Sequence, residues 1–351
     1  MERSYYLQLA ALGLRMPIGA DLTLHEAPDP QNILLDAGRL GLLIEKTALN
    51  YATPLAFPLM DLSLEKADLL DFAGVPVDDV AQFHFTEAPS EQFIANYCAA
   101  TSRPFSSRGE ANIGALRYVA QQTKLTPIGM LIGPFSLMTK LLADPIAPVA
   151  MAAAGVTAEE DAGVCPVERC LELATAAVLR SARAQIAAGA KAMVVCEPAA
   201  NIVYLSPRQL RRDMSIFNRY VMQPNMQLAE LLRKHDVDLI FHDCGELIPE
   251  MIASFAHELH PVILSLGSSR KLWEDAELVP NDVILFGNLP SKNFYSDAVM
   301  PVEKVREMAL DLARRMREVG HPFILGTECD VLHVPEAAAT IRNKVEAMLK
   351  A

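Results

Sequence analysis

From Thr126 onward, short apolar runs alternate with longer stretches of mixed polarity. The runs are residues 127–132, 192–196, 237–241, 262–266, 283–286 and 323–325, each with the length and composition of a buried strand. Between and after them the spacing predicts helices over 136–142, 150–154, 167–188, 207–234, 248–258, 269–276, 302–319 and 336–349. Upstream the pattern is weaker. Residues 38–50 and 64–73 are predicted helices, and 53–60 and 80–85 are two further strand candidates, the first weakened by Pro54 and Pro58. Strands alternating with helices imply a parallel sheet. With both weak candidates the strands number eight, which predicts a (β/α)8 TIM barrel. Residues 1–50 then form an N-terminal helical extension packed on the barrel, and 51–351 the catalytic barrel. An open doubly wound sheet would be expected to carry a glycine-rich phosphate loop after its first strand, and the sequence has none there.

Composition narrows the partners. The chain has 351 residues, half of them apolar, and a net charge of −12. No basic run offers a surface for phosphates, which argues against nucleic acid. The longest apolar run, 130–143, is interrupted by Pro134 and Lys140, so no membrane span is expected. The start of the chain is too short and too polar for a secretory leader. Six cysteines are too few for a disulfide framework. A cytoplasmic protein with reduced thiols is therefore expected.

In a barrel, chemistry sits where strands end at their C-terminal side. Polar or small residues follow almost every predicted strand: Asp61, Gly133 and Pro134, Glu197, His242 to Gly245, Ser265 with Gly267, Gly287 and Asn288, and Thr327 to Asp330. Among these, His242-x-Cys244 follows the fifth strand and Cys329 the eighth. One imidazole and two thiolates form a soft donor set suited to zinc, and three protein ligands leave a fourth position open, as catalytic sites do. The 85-residue gap between the cysteines matches no finger or ribbon, so only closure of the barrel can unite them. The competing reading is a pair of small buried hydrophobes and a hydrogen-bonded core histidine. Cys98, Cys165, Cys170 and Cys196 are left to that reading.

Five segments in order carry a family resemblance: Gly133-Pro-Phe-Ser-Leu137, residues 190–200, Phe241-His-Asp-Cys-Gly245, Leu285-Phe-Gly-Asn-Leu289, and Ile324-Leu-Gly-Thr-Glu-Cys-Asp330 with Val334-Pro-Glu336. They resemble the uroporphyrinogen decarboxylase superfamily, whose fold is a distorted (β/α)8 barrel. The decarboxylase itself carries an arginine-rich Arg-Gln-Ala-Gly-Arg-Tyr loop. Here Asp36-Ala-Gly-Arg-Leu40 supplies only Arg39, a poor clamp for a substrate with many carboxylates. The corrinoid-dependent methyltransferase branch instead carries His-x-Cys with a distal Cys that bind zinc, and His242, Cys244 and Cys329 match those ligands. The resemblance implies a zinc enzyme that takes a methyl group from a methylcorrinoid (methylcobamide) on a separate small protein. The acceptor would be a thiol of the coenzyme M type or tetrahydrofolate; decarboxylation of a porphyrinogen is the alternative. One feature departs from the branch. Some members place a carboxylate after the sixth strand, where this chain has residues 264–270 without an acid. Glu246, Glu328 or water is then expected in the fourth position.

Other mouth residues are expected to serve substrate. Glu197 would orient the acceptor or move a proton, with a helix cap as the rival role. Asp61, Asn201, Tyr204 and Asn288 are candidate binding residues for cofactor or acceptor. The corrinoid-domain signature Asp-x-His-x-x-Gly is missing from the sequence, so the corrinoid is expected on a partner. A homodimer is left open.

Overall fold

The computed structural model describes residues 2–351. Its eight strands are β1 (Arg15–Ile18), β2 (Leu55–Ala56), β3 (Thr126–Ile132), β4 (Ala192–Cys196), β5 (Asp238–Asp243), β6 (Ile263–Leu266), β7 (Ile284–Leu289) and β8 (Phe323–Asp330). All are parallel, and the ladder runs β1-β8-β7-β6-β5-β4-β3-β2. One apolar cluster draws a member from every strand: Met16, Leu55, Ile128, Val194, Ile240, Ile263, Phe286 and Ile324. Side chains from eight strands meet only if the sheet curls around them, so this cluster fills the inside of the curl. Among the described residues no ladder joins β1 to β2, so the curl has a seam.

The six later strands lie where the apolar runs predict them, and β4 and the helix Val302–Val319 agree to the residue. The first two strands do not. β1 lies inside the segment expected to be helical, so the expected boundary at residue 50 cuts through the sheet rather than beside it. The 53–60 run contributes only the two residues of β2. Residues 80–85 form no strand; there Phe83 and Phe85 pack edge to face, and Phe85 meets Phe93 likewise. The physical reason is that β1 and β2 are the ladder's two edges. Pairing on one side only tolerates Pro17 and Pro54, and strands this short show no readable alternation.

Helices cover the outer face. The longest, Val164–Ala188, buries Ala174, Ala177 and Ala182 and packs against helices Pro134–Leu141 and Ser107–Gln122. Its Gln185 amide bonds both the N–H and the carbonyl of Met130, at 2.9 Å each, which ties this outer layer to β3. No described helix is long and apolar enough to cross a membrane.

Candidate metal centre

The site grows from strand alternation. Ile240 of β5 faces the inner cluster, so His242 and Cys244, two and four residues on, take the same side. Parallel register sets one row across the curl: Cys196, His242, Ser265, Phe286 and Ile324 are successive partners on β4 to β8. His242 thus stands beside Ser265 on an apolar floor. Its Nδ1 lies 2.9 Å from the Ser265 hydroxyl, and the ring is 1% exposed. Its Nε2 is buried and has no hydrogen-bond partner. A buried ring nitrogen left unpaired is unfavourable unless something else binds it.

Cys329 arrives by a different route. Met16 pairs with Gly326 and Ile18 with Asp330, so β8 spends four residues where β1 spends two. Such an irregularity releases side chains from strict alternation and re-aims them. Thr327 stabilises it: its hydroxyl accepts from the Ile18 N–H at 3.0 Å and donates to the Cys329 carbonyl at 2.7 Å. The Cys329 sulfur then comes within 3.9 Å of the Cys244 sulfur. One donor atom from each of His242, Cys244 and Cys329 lies within 4.8 Å of the others.

These residues fit zinc. Two thiolates at about 2.3 Å from a tetrahedral ion stand about 3.8 Å apart, which is close to the observed spacing. The Ser265 hydrogen bond does what partners of metal-bound histidines do, turning the other nitrogen toward the ion. The electrostatics agree. The Cys244 thiol donates toward the Cys329 sulfur at 3.9 Å. Cys329 is held well below the ordinary thiol range, first by the hydrogen bond from Cys244 and then by His242. Cys244 is pushed up, first by donating that bond and then by burial. A second thiolate in this place requires positive charge, which a divalent cation supplies. Close backbone approach completes the wall: a Cβ on Gly267 would stand 2.6 Å from the Cys244 carbonyl oxygen, so only glycine lets the loop after β6 lie against Cys244.

The remaining mouth candidates have other work. Glu197 is wholly buried, and its carboxylate accepts from the N–H groups of Phe135 (3.0 Å) and Ser136 (2.8 Å) and from the Asn225 amide (2.9 Å). It therefore caps the helix Pro134–Leu141, and a Cβ on Gly133 would overlap its carboxyl group. The Asn201 amide donates to the Pro198 carbonyl, and its oxygen accepts from the Val203 N–H, so both ends stay within its own loop. The Asn288 amide donates to the carbonyls of Gly267 (2.8 Å) and Arg270 (2.9 Å), pinning the loop beside Cys244. Tyr204 packs edge to face on Phe135. Asp61 accepts from the Ser63 N–H and pairs with Arg108. The expected carboxylate ligands are elsewhere: Glu328 accepts from the N–H and hydroxyl of Ser268, Glu246 is exposed, and neither joins the donor group. Sequence reasoning named Ser265 only as a strand end and Met60 only as the end of the 53–60 run; the Met60 sulfur lies 3.8 Å from that of Cys329. Strand register would have placed Ser265 beside His242; a lone methionine carries no such signal.

A family model described as uroporphyrinogen decarboxylase (URO-D) matches residues 100–349. Among solved structures, a methyltransferase from Methanosarcina mazei is similar with a TM-score of 0.66 and 15% sequence identity, over 99% of this chain and 98% of that one. At that identity the shared property is the fold. No curated protein matches the chain. The family match spans well over half of the sequence and includes β3 to β8 together with His242, Cys244 and Cys329: the chain belongs to the uroporphyrinogen decarboxylase family.

Proposed function

We propose that this protein is a zinc-dependent methyltransferase that moves a methyl group from a methylcorrinoid, carried by a small separate protein, to a thiol acceptor of the coenzyme M type, with tetrahydrofolate as the alternative acceptor. The observation that carries the reading is the donor set: two sulfurs 3.9 Å apart and, in the same group, a buried imidazole whose Nε2 has no hydrogen-bond partner. His242, Cys244 and Cys329 would hold the metal, and Ser265 orients His242. Zinc bound there supplies Lewis acidity, which lowers the pKa of a coordinated thiol and keeps it a nucleophile at neutral pH. The methyltransferase name of the Methanosarcina mazei structure supports the same class of reaction.

Docking of a corrinoid carrier over the mouth is supported by apolar side chains on the rim. Val203 follows β4, Tyr295 and Val299 follow β7, and Leu332 follows β8; each is at least half exposed. Isolated exposed apolar residues are ordinary, but four on loops at one end of the sheet suit a partner interface.

Decarboxylation of a porphyrinogen is the second reading, and the family's name favours it. Arg39, the residue nearest to that family's arginine loop, is paired with Asp29 at 2.6 Å. Metal analysis and a methyl-transfer assay separate the two readings. Purified protein is expected to hold stoichiometric zinc and to demethylate methylcobalamin in the presence of a thiol, and Cys244→Ala to lose both properties. Protein lacking zinc, with demethylation unaffected by Cys244→Ala, would refute the methyltransferase reading.

A further inference from the structure

We infer that Met60 is the fourth donor of the metal centre while no acceptor is bound, and that an incoming thiol displaces it; this inference rests on the zinc reading above. Three observations point to it. First, the Met60 sulfur lies 3.8 Å from the Cys329 sulfur, nearly the spacing that separates Cys329 from Cys244. Second, Met60 packs half-buried against the inner cluster of the curl, so its side chain faces the interior. Third, its loop is held in place. The Ser63 N–H bonds Asp61 at 3.1 Å, Arg108 pairs with the same carboxylate, and the Lys140 ammonium donates to the Leu62 carbonyl at 3.0 Å. A loop fixed at three successive residues presents the thioether at little further loss of entropy.

The chemistry of the donor set favours a thioether in this role. No carboxylate joins the group of His242, Cys244 and Cys329 among the described residues. Two thiolates and a neutral imidazole already balance a divalent zinc ion. A carboxylate would add a negative charge in a buried place, whereas a thioether adds none. Thioether sulfur is also a weak ligand, well suited to be exchanged for a thiolate. Asp61, a sequence candidate for substrate binding, thereby acts as a positioning residue for Met60.

The experiment measures metal coordination without any turnover. The purified chain is loaded with zinc for X-ray absorption and with cobalt(II) for optical spectra, in the parent, Met60→Leu and Met60→Cys. Leucine conserves volume, so the fold should persist. The parent is expected to show three sulfur scatterers around zinc, and Met60→Leu two, with the lost sulfur replaced by a light atom and the cobalt d–d bands shifted. Met60→Cys should return the count to three and strengthen the sulfur-to-cobalt charge-transfer absorption. Adding 2-mercaptoethanol should bring Met60→Leu back to three sulfurs and make its cobalt spectrum converge on that of the thiol-treated parent. Identical sulfur counts and cobalt spectra in the thiol-free parent and Met60→Leu would overturn the inference while leaving the zinc reading intact. A parent that binds neither metal would overturn the zinc reading itself.

Discussion

Replacing Glu65 by glutamine isolates one buried charge. Glu65 lies in the first turn of the helix Leu64–Phe72, is 3% exposed, and accepts from the Ser181 hydroxyl at 2.9 Å through one oxygen. Its other oxygen has no hydrogen-bond partner. Burial, the largest influence, pushes the carboxyl up from 4.5 to about 7. The sign follows directly. Below the unfolded value both states hold the proton, and the stabilisation is fully present. As pH rises through about 7 the native state also ionises, and that stabilisation is lost. At 1.36 kcal/mol per pH unit, the shift corresponds to about 3 kcal/mol. Glutamine stays neutral and keeps an oxygen for Ser181. Glu65→Gln is therefore expected to gain up to about 3 kcal/mol on the parent at about pH 8, and to gain little at about pH 4.5. Urea denaturation of both proteins across this range, read by circular dichroism, measures the difference. A stability difference that stays constant with pH would refute the assignment of a buried, late-titrating carboxyl.

Two further substitutions test the metal centre and its surroundings. Ser265→Ala removes the partner of His242 Nδ1 and is expected to weaken zinc binding about 10- to 100-fold, as chelator competition would read; unchanged affinity would mean that the serine does not orient the ring. Glu197→Ala strands two N–H groups and the Asn225 amide and is expected to lower stability by about 2–4 kcal/mol, with zinc stoichiometry retained in the folded fraction. Full stability combined with lost activity would return Glu197 to a catalytic role.

The parts that could be read from sequence were those governed by local pattern. Six apolar runs of strand length are visible because each strand from β3 to β8 is buried and bounded by polar turns. The candidate metal trio stood out because His242, Cys244 and Cys329 are chemically conspicuous at strand ends. What escaped depends on pairing between distant residues. β1 is four residues long and contains Pro17, so its place beside β8 leaves no periodic trace. An acid after β4 signals a cap or a catalyst equally well, and only the neighbouring helix terminus decides for the cap. Ser265 acquires its role from the register of β5 with β6, and Cys329 its direction from an irregularity opposite β1.

The seam between β1 and β2 divides the mouth mechanically. β5, which leads into Cys244, and β8, which carries Cys329, are joined through β6 and β7 by unbroken ladders, so the sheet sets how far apart their ends stand. Met60 follows β2, on the far bank of the seam, and its contact with Cys329 bridges the gap. A second sulfur contact, from the Thr53 hydroxyl to Met16 at 3.4 Å, spans the same gap lower down. Breathing of the seam would thus stretch the methionine contact first and leave the cysteine pair at its spacing. The sheet thus has a continuous arc that sets the spacing of the two cysteines and a seam that is bridged near its top by the sulfur of Met60.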